Sequence, residues 1–213
     1  MSATEVPSGT PSRVQRRKAL TRAALIGAAQ RFLADGGRTE VSIQEITEAA
    51  DVGFGSFYNH FDSKAALFDA AITETLAEHA RLIRQATAHL EDPAEVFAAS
   101  VRLTIRLRQT HPQMARILLN TGLSHLTDAE GMPASALHDL QTATAAGRFD
   151  IDPYVALACT GGSVLGLFQL LDARPAMDAG TATDQLAASL LRMFGLPAGE
   201  ARRIATQPLP AIA

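Results

Sequence analysis

The sequence predicts an all-α protein, and three observations carry that expectation. Alanine dominates a composition that is 47% hydrophobic but only 5% aromatic, with no tryptophan. Runs of β-branched residues are absent and turn-prone clusters are sparse, so helix formers prevail along most of the chain. Apolar residues also recur at helical spacing behind repeated helix start signals. At 213 residues the chain can bury a sizeable core. Its elements divide it into a disordered arm at 1–11, a three-helix helix-turn-helix unit at 12–62, a helical body at 63–206 and a tail at 207–213.

The arm is rich in Ser, Thr, Pro and Gly, too polar a composition to bury. The first helix is expected from Ser12 to about Asp35, with Leu25, Ala29, Phe32 and Leu33 facing inward and Gly36-Gly37 ending it. Its charges are one-sided. Arg13, Arg16, Arg17, Lys18, Arg22 and Arg31 give +6 between Ser12 and Ala34 with no acid, although the whole chain carries −3. Such a run opposite a phosphate backbone provides salt-dependent attraction without sequence preference.

Ser42-Ile43-Gln44-Glu45 is a capping box, in which the serine hydroxyl takes the glutamate amide and the carboxylate reaches back to the serine amide. Ile43, Ile46, Ala49 and Ala50 keep helical spacing behind it. Asp51-Val52-Gly53 interrupts with turn residues, and a second short helix is expected from about Phe54 to His60. Two short helices so joined, here about 42–61, make a helix-turn-helix whose second member can enter a DNA major groove. Gly55 allows close backbone approach, and Ser56 and Asn59 are short enough to touch base edges or phosphates. Gln44 is the best base reader on the supporting helix, and Ser42 can serve as both cap and phosphate donor. Phe57 and Phe61 are expected in the core, bracketing an exposed Tyr58. Phe54 lies where an apolar side chain can meet a thymine methyl.

The run Phe57-Tyr58-Asn59-His60-Phe61 with Lys64, together with the helix before it, resembles the DNA-binding domain of the TetR family of bacterial repressors. The pattern matches at Arg22, Ile26, Ala29, Phe32 and Gly36, then at Ser42, Ile46, Ala49, Val52, Phe57, Tyr58, His60, Phe61, Lys64 and Leu67. Asp51 stands where the family usually has Gly, Gly53 where a Ser or Thr cap is common, and Thr47 where Ala is frequent. The resemblance implies that Tyr58, His60 and Lys64 hold phosphates, and that Arg13, Arg16 and Arg17 lie along the DNA backbone. It also implies that the helix after the motif links a DNA-binding head to a ligand-binding body, so that its tilt sets the spacing of two heads.

Asp62-Ser63 caps that long helix, expected from Lys64 to about Leu90, with Ala66, Leu67, Ala70, Ala71 and Thr75 toward the head. Asp92-Pro93-Ala94-Glu95 opens the next, to about Gln109. Pro112 opens another to about Gly122, and after a loop at 124–132 Pro133 opens one to Ala146. From Tyr154 to Leu171 no residue is charged, which is near a membrane-spanning length. Flanking Asp152 and Asp172, no basic anchor, and Thr160, Ser163 and Gln169 within favour instead a helix buried on most sides, and no membrane partner. Ala158, Gly162 and Gly166 recur every fourth residue and leave a bare face that another helix can approach closely. That face, with Leu186, Leu190 and Phe194 of a final long helix from Thr183 to Phe194, is the expected homodimer interface. A short helix from Pro197 to Ala205 comes last.

Phe97, Val101, Met114, Leu118 and Phe168 are the candidate lining of an effector pocket, and their chemistry favours an apolar or amphipathic ligand. His79, His89, His111, His125 and His138 are scattered without ligand spacing, and no phosphate-cradling glycine loop occurs. Cys159 has no basic neighbour in sequence. No catalytic residue, metal or cofactor is therefore expected. A single cysteine excludes a disulfide framework and suits a reducing cytoplasm. The expected function is a ligand-responsive transcriptional regulator. As a homodimer it would bind a pseudo-palindromic operator in double-stranded DNA, most simply as a repressor that a small molecule releases. A helical interaction protein and a DNA binder without an effector are the alternatives.

Overall fold

The computed structural model describes residues 12–125 and 132–211. The predicted arm at 1–11, residues 126–131 of the predicted loop and 212–213 of the tail lie outside them. Among the described residues every regular element is helical: α1 (Arg13–Ala34), α2 (Ile43–Ala49), a 3-10 helix (Phe54–Asn59), α3 (Lys64–Thr87), α4 (Pro93–Thr110), α5 (Pro112–Thr121), α6 (Met132–Ala145), α7 (Pro153–Ala173), α8 (Ala179–Met193) and α9 (Ala198–Ala205). Most ends fall within one to three residues of expectation. The start of α8 does not: Asp178 accepts from the Thr181 amide at 2.6 Å and opens the helix four residues early. Gly180 in that first turn hid the start, because glycine reads as a breaker.

α1 begins with a capping box between Ser12 and Gln15 and ends at Gly36 and Gly37, both at positive φ. Leu25, Ala29, Leu33, Ile46, Phe57 and Phe61 form the head's core as expected, and Phe32 lies half-buried under the Arg38 guanidinium. That core does not stop at residue 62. It continues through Leu67, Phe68, Ala71 and Leu76 of α3 and recruits Ile117 and Leu118 of α5. Hydrogen bonds fasten the same joint: Gln30 Nε2 donates to Thr75 Oγ1 at 3.2 Å, and Asn120 Nδ2 donates to the Leu33 carbonyl at the end of α1 at 2.8 Å.

The body is built on Phe97, Phe149 and Phe194, whose ring centroids lie 5.3–5.4 Å apart. Arg148 takes both carboxylate oxygens of Asp92 and reaches Glu200 at 2.7 Å, tying the start of α4 to α9. Two expectations are corrected here. Leu190 and Phe194 are 1% and 0% exposed in the subunit's own core, so they offer no surface to a second copy. Conversely α7, expected to be buried on most sides, has only 28% of the residues in its most apolar stretch buried. Among the described residues it is the one helix long and apolar enough to cross a membrane by length and composition. Packing on one side only leaves Tyr154, Val155, Ala158, Gly162, Gly166 and Leu170 exposed in a row.

Candidate nucleic-acid interface and ligand cavity

α2 and the 3-10 helix are set by their turn. Asp51 takes φ +54°, the left-handed region that glycine tolerates best, which explains why a glycine is usual there. Gly53 supplies no side-chain cap, and the element it opens is a six-residue 3-10 helix rather than an α-helix. Phe57 anchors it by complete burial, 5.3 Å from the Tyr58 ring and 6.2 Å from that of Phe61. Tyr58 is 58% exposed, with Phe54 beside it on the surface at 6.5 Å.

The charged groups gather around this ridge. His60 is half-buried, and its pKa is held below the ordinary imidazole value by burial first, then by the nearby cations Lys18 and Arg22. Lys64, also half-exposed, has its ammonium 3.9 Å from Glu40. Arg13, Arg16, Arg17 and Lys18 are all exposed at the start of α1. Arg22 and Arg31 are committed to the fold: Arg22 pairs with Glu74 at 2.8 Å and lies over the Phe61 ring, and Arg31 donates to the Ala49 carbonyl.

The other sequence candidates carry local bonds. The Ser42 hydroxyl accepts from the Glu45 amide at 3.1 Å and donates to the Glu45 carboxylate at 2.7 Å, so its one proton already serves the cap. Gln44 Nε2 donates to Glu48 at 2.9 Å and Asn59 Nδ2 to the Gly55 carbonyl at 3.3 Å. Both are exposed, so a base edge or phosphate would have to exchange with those partners. Gly55 is exposed, and a Cβ there would meet nothing within 4 Å. Ser56 is half-buried.

In the body a cavity of about 130 Å³ lies among α3 to α7. Of the sequence candidates, Phe97, Val101, Leu118 and Phe168 line it. Met114 does not; one turn before Leu118, it packs into the head's core instead. Sequence reasoning missed the polar residues of the wall, among them His79, Thr104, Thr121 and Asp139. His79 is 4% exposed, and burial pushes its pKa down to about 4. Its Nε2 lies 2.9 Å from Thr104 Oγ1, whereas His79 Nδ1 and Thr121 Oγ1 are buried without a hydrogen-bond partner among the described residues. Leu76, His79 and Ile83 sit at helical spacing, a stripe that was legible once metal spacing was set aside. Asp139 is also pushed up by burial.

On α7 the expected Ala158, Gly162 and Gly166 are all exposed, and a Cβ on either glycine would meet nothing within 4 Å. Leu186 of α8 is half-buried, and Met193 is exposed on the same helix.

Both parts of the chain match known families. Residues 25–71 fit the model of bacterial regulatory proteins of the tetR family, and residues 92–207 fit the tetracyclin repressor-like C-terminal domain. A crystal structure of RolR with the ligand resorcinol superposes with a TM-score of 0.72 at 34% identity, over 93% of this chain and 99% of that one. RolR without ligand gives 0.70 at 34% identity, over 90% and 100%. An uncharacterised HTH-type transcriptional regulator of Mycobacterium tuberculosis is 28% identical over 108 residues, 51% of this chain. That match spans about half the length of the curated relative, 54% of it.

Proposed function

Since the chain belongs to the TetR family of bacterial regulatory proteins, we propose that it is a homodimeric repressor, released from a pseudo-palindromic operator by a small effector in the body cavity. The observation that carries this reading is the double membership of α5. Leu118 lines the cavity and belongs to the head's core, Thr121 lines the cavity, and Asn120 between them holds the end of α1. A ligand that shifts α5 therefore acts on the head through packed contacts, a coupling worth roughly 1–3 kcal/mol in known systems. The RolR structure with resorcinol supports a small, amphipathic effector. Rearranged heads no longer match the half-site spacing, and affinity for the operator falls.

The DNA face makes the reading testable. Tyr58 and Lys64 are proposed to hold phosphates, with Arg13, Arg16 and Arg17 along the backbone; Gln44, Ser56 and Asn59 are proposed to meet bases. Tyr58→Ala and Lys64→Ala should each weaken binding to matched and scrambled sites alike. Only Lys64→Ala should lower the salt dependence, by about 2 in the slope of log K against log salt for a dimer that loses one phosphate contact per subunit, because tyrosine carries no charge. Gel-shift titrations at several salt concentrations, with and without resorcinol as the trial effector, check both claims. A Lys64→Ala protein with unchanged slope and affinity removes this interface.

The exposed row on α7 is proposed as the dimer face, with Ala158, Gly162 and Gly166 permitting close approach and Leu186 at its edge. Gly162→Leu meets open space within the subunit and should leave the fold and melting of the monomer intact. Sedimentation velocity should then show monomers where the parent is dimeric. A variant that remains a dimer excludes this face.

A further inference from the structure

Among the described residues, one side chain of the cavity wall carries an acceptor left without a donor. Thr104 Oγ1 donates its single proton to the Ser100 carbonyl at 2.8 Å. The same oxygen lies 2.9 Å from His79 Nε2, so it accepts there, and the imidazole carries its proton on Nε2. Nδ1 is then a bare lone pair, buried and without a partner among the described residues, on a side chain that lines the cavity. A second orphan on the same wall, Thr121 Oγ1, can donate or accept. Unpaired buried polar atoms cost free energy, and a ligand that satisfies them gains what one without matching groups forfeits.

Size and charge narrow the ligand further. At about 130 Å³ the space is close to the engineered cavity of roughly 150 Å³ that holds one benzene molecule. Its walls are supplied by Leu76, Phe97, Val101, Leu118 and Phe168, faces that suit a flat ring. The titratable side chains around it do not favour an anion. Arg84 is a cation, but the Asp139 carboxylate lies close enough to feel its charge and to offset it, and His79 is neutral at ordinary pH; His125 completes the set.

We infer that the cavity takes a neutral single-ring phenol, whose hydroxyl donates to His79 Nδ1 while the ring fills the apolar walls. A second ring hydroxyl has Thr121 to meet. This rests on the reading of the cavity as the effector site, and it assigns His79 as the residue that selects a hydroxyl over a methyl or a carboxylate.

The test measures binding of phenol, resorcinol, toluene and benzoate to the intact protein near neutral pH by calorimetry and thermal shift. Toluene is nearly isosteric with phenol but has no donor. The parent protein should bind phenol about tenfold more tightly than toluene, resorcinol at least as well as phenol, and benzoate least. His79→Phe should abolish the preference for phenol over toluene while toluene binding holds. Equal affinity of the parent for phenol and toluene, an unchanged preference in His79→Phe, or tighter binding of benzoate overturns the inference and leaves the cavity as an effector site. Should none of the four bind, the cavity reading falls with it. The comparison within the parent decides even if the variant does not fold.

Discussion

Phe57→Ala is expected to abolish operator binding and to destabilise the head by about 3–5 kcal/mol, the usual cost of emptying a phenylalanine site in a packed core. The side chain is fully buried and is the main anchor of a helix of only six residues. No side-chain cap holds the start of that helix, and its neighbours Phe54, Tyr58 and Asn59 are all exposed. Removing the ring therefore leaves Tyr58 without a rigid base. Because the head's core continues into α3 and α5, the loss should also lower the melting temperature of the whole subunit. Phe54→Ala is the control: the ring is exposed, and truncating it should change stability by less than about 0.5 kcal/mol. Denaturant unfolding and gel shifts on both variants check the pair. A Phe57→Ala protein that binds operator within threefold of the parent would show that the 3-10 helix does not depend on this anchor.

The second large effect is an acid limb in stability. His79 titrates near 4 in the folded protein against 6.5 for an ordinary histidine, because burial disfavours the cation. Above 6.5 the group is neutral in both states and contributes nothing to the pH dependence. As pH falls from 6.5 toward 4 the unfolded chain takes up a proton that the folded one does not, so stability falls across that window. The shift corresponds to about 3 kcal/mol. Below 4 both states are protonated and the contribution levels off. Carboxylates that the fold holds below their ordinary values, such as Asp92 beside Arg148, weaken the protein at lower pH still, while Asp139, pushed up by burial, opposes them. Subtracting the profile of His79→Phe isolates the histidine. Melting curves at fixed protein concentration from pH 4 to 8 should show a slope in the parent that the variant lacks; parallel profiles would place the imidazole in contact with water.

The parts of the protein that could be read directly are those whose causes are local. The capping box at Ser42, the Asp-Pro starts of α4 and α7 and the glycines after α1 each act within one turn of chain, and each lies where expected. The run Phe57-Tyr58-x-His60-Phe61 likewise sorts into buried and exposed members within five residues. The exposed ridge proposed to meet DNA was legible for the same reason. Its charge count was not: six cations on α1 read alike in sequence, yet Arg22 and Arg31 are held by Glu74, the Phe61 ring and the Ala49 carbonyl.

By itself, then, the sequence determined the helices, the helix-turn-helix and the small-residue face of α7, because periodicity, caps and turn residues act over a few neighbouring positions. Only the tertiary structure decided which apolar stripe meets which. A stripe such as Leu186, Leu190 and Phe194 announces a covered face but not what covers it, and here the cover for Leu190 and Phe194 is the subunit's own body. The same holds for Met114, drawn to the head, and for His79, whose neutral ring results from α4 and α5 closing over α3. Burial of a side chain depends on residues far away in the chain, and nothing in the local pattern encodes that distance.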